Sequence, residues 1–201
     1  HHRNRWRNHH FAIEEAAAMT ILASDKTGTI TENHLKLNAI RAYPPYQEVD
    51  VIQFGAQASR AATQDPLDLA IIEGAQDRQI DLGGKRLDFT PFEPATKRSE
   101  ALIALSDGNN LRILKGAPQM ITALAGGQDI NVDVADFARS GNRVLAVAAG
   151  PDSGPFQLVG LLGLQDTLRP DSKTLIQKLN GLGVRVVMVT GDDALTAKAV
   201  A

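Results

Sequence analysis

The densest run of reactive groups in the sequence is Asp25-Lys26-Thr27-Gly28-Thr29. A carboxylate oxygen can attack a phosphoryl group in line and hold it as an acyl phosphate. Lys26, together with the hydroxyls and backbone N–H groups around Gly28, would supply donors for the charge on the transferred oxygens. An Asp-Lys pair alone in a polar loop is otherwise an ordinary solvated turn.

Further candidates are spread along the chain. Thr190-Gly191-Asp192 follows a nearly all β-branched run at 184–189. Asp166 comes just after the apolar run 158–164. Lys115 and Gly116 stand in Lys115-Gly116-Ala117-Pro118, and Phe92 and Lys97 in the string running from Pro91 to Arg98. An exposed phenyl face can stack on a planar base, whereas a buried one is simply core. A lysine in a pocket holds an anion, whereas an isolated one is a solvated charge. Asp65 precedes Pro66 and can serve as a helix cap or a ligand contact. Arg143 opens an expected strand, where an arginine is ordinarily a strand-edge cation.

These residues need elements to carry them. Residues 11–19 are rich in helix formers and lead into Thr20-Ile21-Leu22-Ala23, a short β-type run, so Asp25 falls at the carboxyl end of a strand, where open α/β sheets place their chemistry. Residues 35–49 read as irregular, with Pro44-Pro45 as a breaker. Helices are expected over 49–62 and 66–76, the second capped by Asp65 with Pro66 in its first turn. Strands are expected at 87–92, 100–105 and 111–114, with Ser106-Asp107-Gly108-Asn109-Asn110 as a hairpin turn. Helices at 118–124 and 132–139 and a strand at 143–149 follow. After the turn cluster at 150–155 the order becomes strand (158–164), helix (170–182), strand (184–189), and a further helix from Asp193. That order predicts a parallel sheet containing 20–24, 158–164 and 184–189, with residues near 36–155 inserted as an α+β domain with an antiparallel sheet.

Composition narrows the function classes. A chain of 201 residues, 43% hydrophobic, with 21 Lys+Arg against 23 Asp+Glu, is an ordinary globular polypeptide. Without cysteine there is no disulfide, thiolate metal site or cysteine nucleophile. The first ten residues hold three Arg and four His and no acid, so the rest of the chain is net acidic, which argues against nucleic acid as a partner. Residues 1–10 read as a tail or an appended sequence. The longest apolar stretches fall far short of the roughly 18–20 residues that span a bilayer.

Asp25-Lys26-Thr27-Gly28-Thr29-Ile30-Thr31 matches the phosphorylation signature DKTGT[LI]T of the P-type ion-pumping ATPases, which this chain resembles from about residue 12 to 201. Pro91-Phe92-Glu93-Pro94 with Lys97-Arg98, Lys115-Gly116-Ala117-Pro118, Asp166-Thr167-Leu168-Arg169-Pro170 and Thr190-Gly191-Asp192 resemble other blocks of that family. Ala12-Ile13-Glu14-Glu15, Ala58-Ser59-Arg60 with Gln64-Asp65, the string from Pro91 to Arg98 and Lys115-Gly116-Ala117-Pro118 look most like the plasma-membrane proton pumps.

The resemblance implies a haloacid-dehalogenase-like, Rossmann-type α/β phosphorylation domain from residues 11–36 and 156–201, interrupted by a nucleotide-binding domain at 37–155. It implies ATP and Mg²⁺ as cofactors, with Asp25 as the phosphorylated residue and Lys26, Thr27, Thr190, Gly191 and Asp192 around it. Asp25 and Thr27 would hold the metal. Asp65, Phe92, Lys97, Lys115, Gly116, Arg143 and Asp166 would serve the nucleotide or the hinge. The implied partner is the remainder of a pump, its transmembrane and actuator parts, with this region on the cytoplasmic side. The family's later GDGxNDxP block does not occur before Ala201, so little or no turnover is expected of this chain by itself. A soluble phosphatase of the same superfamily usually has a second acid two residues after the nucleophile. Here that position is Thr27, which favours a long-lived phosphoenzyme.

Overall fold

The computed structural model describes residues 20–25 and 31–189. The expected helices at 11–19 and from Asp193, and the loops holding Lys26 to Thr29 and Thr190 to Asp192, lie outside the described residues. In chain order the elements are β1 (Ile21–Asp25), β2 (Thr31–Ala42), α1 (Glu48–Gln57), a 3₁₀ turn (Ala61–Thr63), α2 (Pro66–Asp77), β3 (Lys85–Glu93), β4 (Arg98–Ala104), β5 (Asn110–Gly116), α3 (Pro118–Leu124), α4 (Asn131–Arg139), β6 (Arg143–Pro151), β7 (Gln157–Leu168), α5 (Ser172–Gly181) and β8 (Arg185–Val189). Among the described residues they form two compact units, one of residues 34–167 and one of 20–25, 31–33 and 168–189.

The larger unit is a six-stranded sheet in the order β2-β7-β6-β5-β4-β3. The pairs from β3 through β7 are antiparallel. Successive side chains of a strand point to opposite faces, and the apolar residues here supply both. Ile113, Val147 and Leu162 join Val51, Ile52, Ala56 and Ile71 of α1 and α2 in one core. Leu114, Ala146, Ala148 and Leu161 join Ile121 of α3 and Phe137 of α4 in another. The sheet is thus covered by helices on both faces. On the second face Asp133 of α4 accepts from the Tyr43 hydroxyl, at 2.5 Å, and pairs with Arg41.

Two expectations require correction. Residues 31–42 are a 12-residue strand, so 35–42 of the stretch expected to be irregular is extended chain in the sheet. The alternation Leu35-Lys36-Leu37-Asn38-Ala39 carries the period of a strand, and the breaker Pro44-Pro45 acts only after it. The run 158–164 belongs to β7, antiparallel to β6 in the six-stranded sheet, not to a parallel sheet with 20–24. Continuous apolarity reports burial of both faces, which parallel sheets usually have. Here helices on both sides of an antiparallel sheet produce the same pattern.

In the smaller unit β1 and β8 pair in parallel, in register from Ile21 with Arg185 to Asp25 with Val189. Asp25 is therefore the last residue of its strand, and Thr190 follows its paired neighbour directly in sequence. Arg169 Nε donates to the Thr31 carbonyl at 3.2 Å, tying the two segments through which the chain enters and leaves the larger unit.

Leu162 is fully buried, and a Cβ added to Gly55 of α1 would come within 2.6 Å of its Cδ1. Leu162→Ala should destabilise the larger unit by about 3 kcal/mol through lost burial and a residual cavity, read as a lower urea midpoint with an unchanged slope.

Candidate functional site

Lys115 ends the apolar run of β5 and is 3% exposed, an unusual place for an ammonium group. Its Nζ donates to Asp68 Oδ1 at 2.5 Å and to Ser59 Oγ at 2.5 Å. Asp68 lies in the first turn of α2, where the Asp65 carboxylate caps the helix by accepting from Leu67 N at 2.8 Å and, more weakly, from Asp68 N at 3.4 Å. The second Asp68 oxygen accepts from the Arg60 N–H at 3.0 Å. Ser59 follows the end of α1 and donates its own proton to the Gly55 carbonyl at 2.8 Å, leaving its oxygen to accept from Lys115. Burial pushes the Lys115 ammonium below its ordinary range, while Asp68, and more weakly Asp65, pull it back up.

A cavity of about 90 Å³ opens over this pair, lined by Asp65, Asp68, Ser99, Lys115, Gly116 and Phe92, with Leu67 and Leu145 as its apolar walls. That is well short of the roughly 300 Å³ a whole small-molecule site occupies, so it suits one end of a ligand. Phe92 is 52% exposed at its edge, so this ring is not core. Gly116 is dictated by close approach: a Cβ there would lie 2.2 Å from the Lys97 carbonyl oxygen, which also accepts from Ala117 N. Lys97 takes the left-handed conformation, φ +52°, in the β3–β4 turn, where its N–H closes the turn onto Glu93.

Of the residues expected to serve a ligand, the structure brings together Asp65, Phe92, Lys115 and Gly116. Lys97 does not line the cavity; its carbonyl packs against Gly116, which does. Arg143 is exposed at the start of β6, on the same strand face as Leu145 two residues on. Asp166 stands apart at the end of the sheet, where its Oδ1 accepts from the His34 N–H at 2.9 Å and joins β7 to β2. There the Thr167 hydroxyl donates to the His34 carbonyl at 3.1 Å. Asp166 is thus placed as a clasp where the chain passes between units. Asp25 has its backbone at the carboxyl end of β1. Lys26, Thr27, Thr190, Gly191 and Asp192 lie outside the described residues.

Two residues escaped the reading of the sequence as site residues: Asp68 and Ser59. Asp68 was legible as an acid within the apolar stripe that Ile71 and Ala75 continue along α2, since a carboxylate facing a core requires a cation. Ser59 carries no comparable signal. Two larger grooves, about 340 Å³ between α3 and α4 and about 570 Å³ beside the 105–110 hairpin, are lined by no cationic side chain, and a third, about 340 Å³, holds Arg60 and Arg86, whose guanidinium groups already lie over its one aromatic ring, Phe89. The 90 Å³ cavity, by contrast, pairs a buried cation with an exposed aromatic ring.

Asp68→Ala should cost about 3 kcal/mol in chemical unfolding, because it leaves a buried ammonium without its counter-charge. Asp68→Leu combined with Lys115→Met should recover most of that loss, since it removes both charges together.

The pattern of the haloacid dehalogenase-like hydrolases matches residues 19–201. A putative cation-transporting ATPase of Methanocaldococcus jannaschii is 36% identical over 198 residues, covering 94% of this chain and 24% of that protein. Two crystal structures of a zinc-transporting PIB-type ATPase, solved in different states, are 27% identical over 90% of this chain, with TM-scores of 0.72 and 0.66. The chain spans about a quarter of the length of these relatives. They are named for cation or zinc transport, so the narrower likeness to proton pumps has no counterpart among them. No helix among the described residues is long and apolar enough to cross a membrane. With its mixed α/β architecture and a match running through almost the whole sequence, the chain belongs to the haloacid dehalogenase-like hydrolase family.

Proposed function

We propose that this chain is the nucleotide-binding and phosphorylation region of a cation-transporting P-type ATPase, facing the cytoplasm in the intact pump. The observation that carries the reading is the buried Lys115 ammonium sharing a cavity with the exposed Phe92 ring. A cavity of this size takes one end of a nucleotide, with a ring face for the base and a cation beside it. Phe92 gives a π-face for the base. Lys115 gives a fixed positive charge, and Gly116 lets the chain approach closely. Asp65 and Lys97 border this end, while Arg143 lies further along the sheet for the phosphate chain.

Asp25 is the nucleophile in this reading: one of its carboxylate oxygens bonds to the γ-phosphorus as the bond from that phosphorus to the ADP oxygen breaks. Lys26, Thr27, Thr190 and Gly191 stabilise charge on the phosphoryl oxygens, and Asp192 shapes the loop. The oxygen donors of Asp25 and Thr27 fit Mg²⁺, which, when bound, neutralises those oxygens. Asp166 supports the chain where it passes between units. The transported cation is chosen by membrane-spanning residues outside this sequence. The proton reading rests on the strings near Ala12, Ser59, Asp65, Pro91 and Lys115.

Calorimetric titration of the purified chain with ATP tests the reading. Saturable binding is expected. Phe92→Ala should weaken it by roughly tenfold, in line with about 1–3 kcal/mol for stacking a base on an aromatic ring. Absence of saturable binding, or binding indifferent to Phe92, would contradict the assignment.

A further inference from the structure

The Lys115 ammonium has three N–H donors, and two are already committed. One goes to Asp68 Oδ1 and one to Ser59 Oγ, both at 2.5 Å. Neither acceptor is free to wander. Asp68 is held by the Arg60 N–H on its other oxygen and by its place in the capped first turn of α2. Ser59 is 1% exposed and fixed by its own bond to Gly55, and the Arg86 guanidinium clamps the adjacent backbone by donating to the Gln57 and Ser59 carbonyls at 2.7 and 2.8 Å. The Ser99 hydroxyl donates to the Ala58 carbonyl at 3.0 Å, binding the same turn to β4. A lysine normally loses rotamer entropy when it grips an anion. Here that loss falls in folding, before any ligand arrives.

We propose that Asp68 and Ser59 are positioning residues: they hold the Lys115 ammonium at one point of the cavity wall, with its third N–H left for an anionic ligand. Neither needs to touch that ligand, and both act through Lys115. The inference rests on the nucleotide reading above and adds to it which residues set affinity. The charged groups facing the ammonium are Asp68 and Asp65 of the α2 terminus and Arg86 of β3. Asp68 is the strongest of the acids, so its loss leaves burial and Arg86 opposing the charge.

A double-mutant cycle on ATP binding, with a pH profile, tests this. In the Lys115 background Asp68→Asn should weaken ATP by about tenfold, within the range of ordinary coupling energies. Ser59→Ala, which removes the bonds to the Lys115 ammonium and to the Gly55 carbonyl and leaves no charge unpaired, should weaken it about fivefold. In a Lys115→Met background the same two substitutions should have no effect on ATP affinity. The alkaline fall in affinity, where Lys115 loses its proton, should move to lower pH in Asp68→Asn and back toward the wild type in Asp68→Glu. Equal losses in both backgrounds, or an unmoved alkaline limb, would overturn the positioning role. Ser59→Ala decides the matter if Asp68→Asn does not fold. Failure of the wild type to bind ATP would overturn the nucleotide reading as well. Normal binding by the wild type with unaffected variants would overturn the positioning role alone.

Discussion

A charge removed from water must be compensated locally, and the Lys115–Asp68 pair is where this fold meets that constraint. Isolated, either ion would be expelled or neutralised. Together they require three elements to agree within fractions of an ångström: β5 brings the lysine, the first turn of α2 brings the carboxylate, and the turn after α1 brings the Ser59 oxygen. Asp65 and Pro66 begin α2 at the residue that puts Asp68 over the sheet. Arg86 and Ser99 hold the turn after α1 through its carbonyls. Breaking any of these contacts moves the ammonium that the cavity presents.

The cost of this arrangement is stability, since an apolar pair of the same volume would pack as well without desolvation. What the buried pair provides is a cation whose position is settled before binding. Phe92 complements it from the edge strand β3, with half of its ring surface left open. A rigid charge on one side and an apolar face on the other match an amphipathic ligand end. The small volume between them leaves the remainder of such a ligand outside the cavity.

Much of this was readable in the sequence because local rules decide it. Asp65-Pro66 announces a capped helix, and α2 begins there. The Ser106-to-Asn110 turn announces a hairpin, and β4 and β5 pair across it. What was not readable is set by long-range packing. The apolar run of β7 told only that both faces are buried; whether its neighbours run parallel or antiparallel depends on partners distant in sequence. Lys115 was identified by its motif, but its partners lie 47 and 56 residues away in the chain, and only tertiary structure joins them. Asp166 was expected at the nucleotide or the hinge, and only its bond to the His34 N–H, 132 residues away in the chain, shows that it stands where the chain leaves the larger unit.

The family alone does not decide function, because one fold hosts many chemistries and sites must be argued residue by residue. The central claim is that the cavity around Lys115 receives the nucleotide. A two-dimensional amide NMR titration of the chain with ATP reads that location directly. Shifts should concentrate at Phe92, Lys115, Gly116, Ala117 and Asp68, with the 105–110 hairpin and the groove between α3 and α4 unmoved. Shifts confined to either of those regions, with the Lys115 cluster silent, would contradict it.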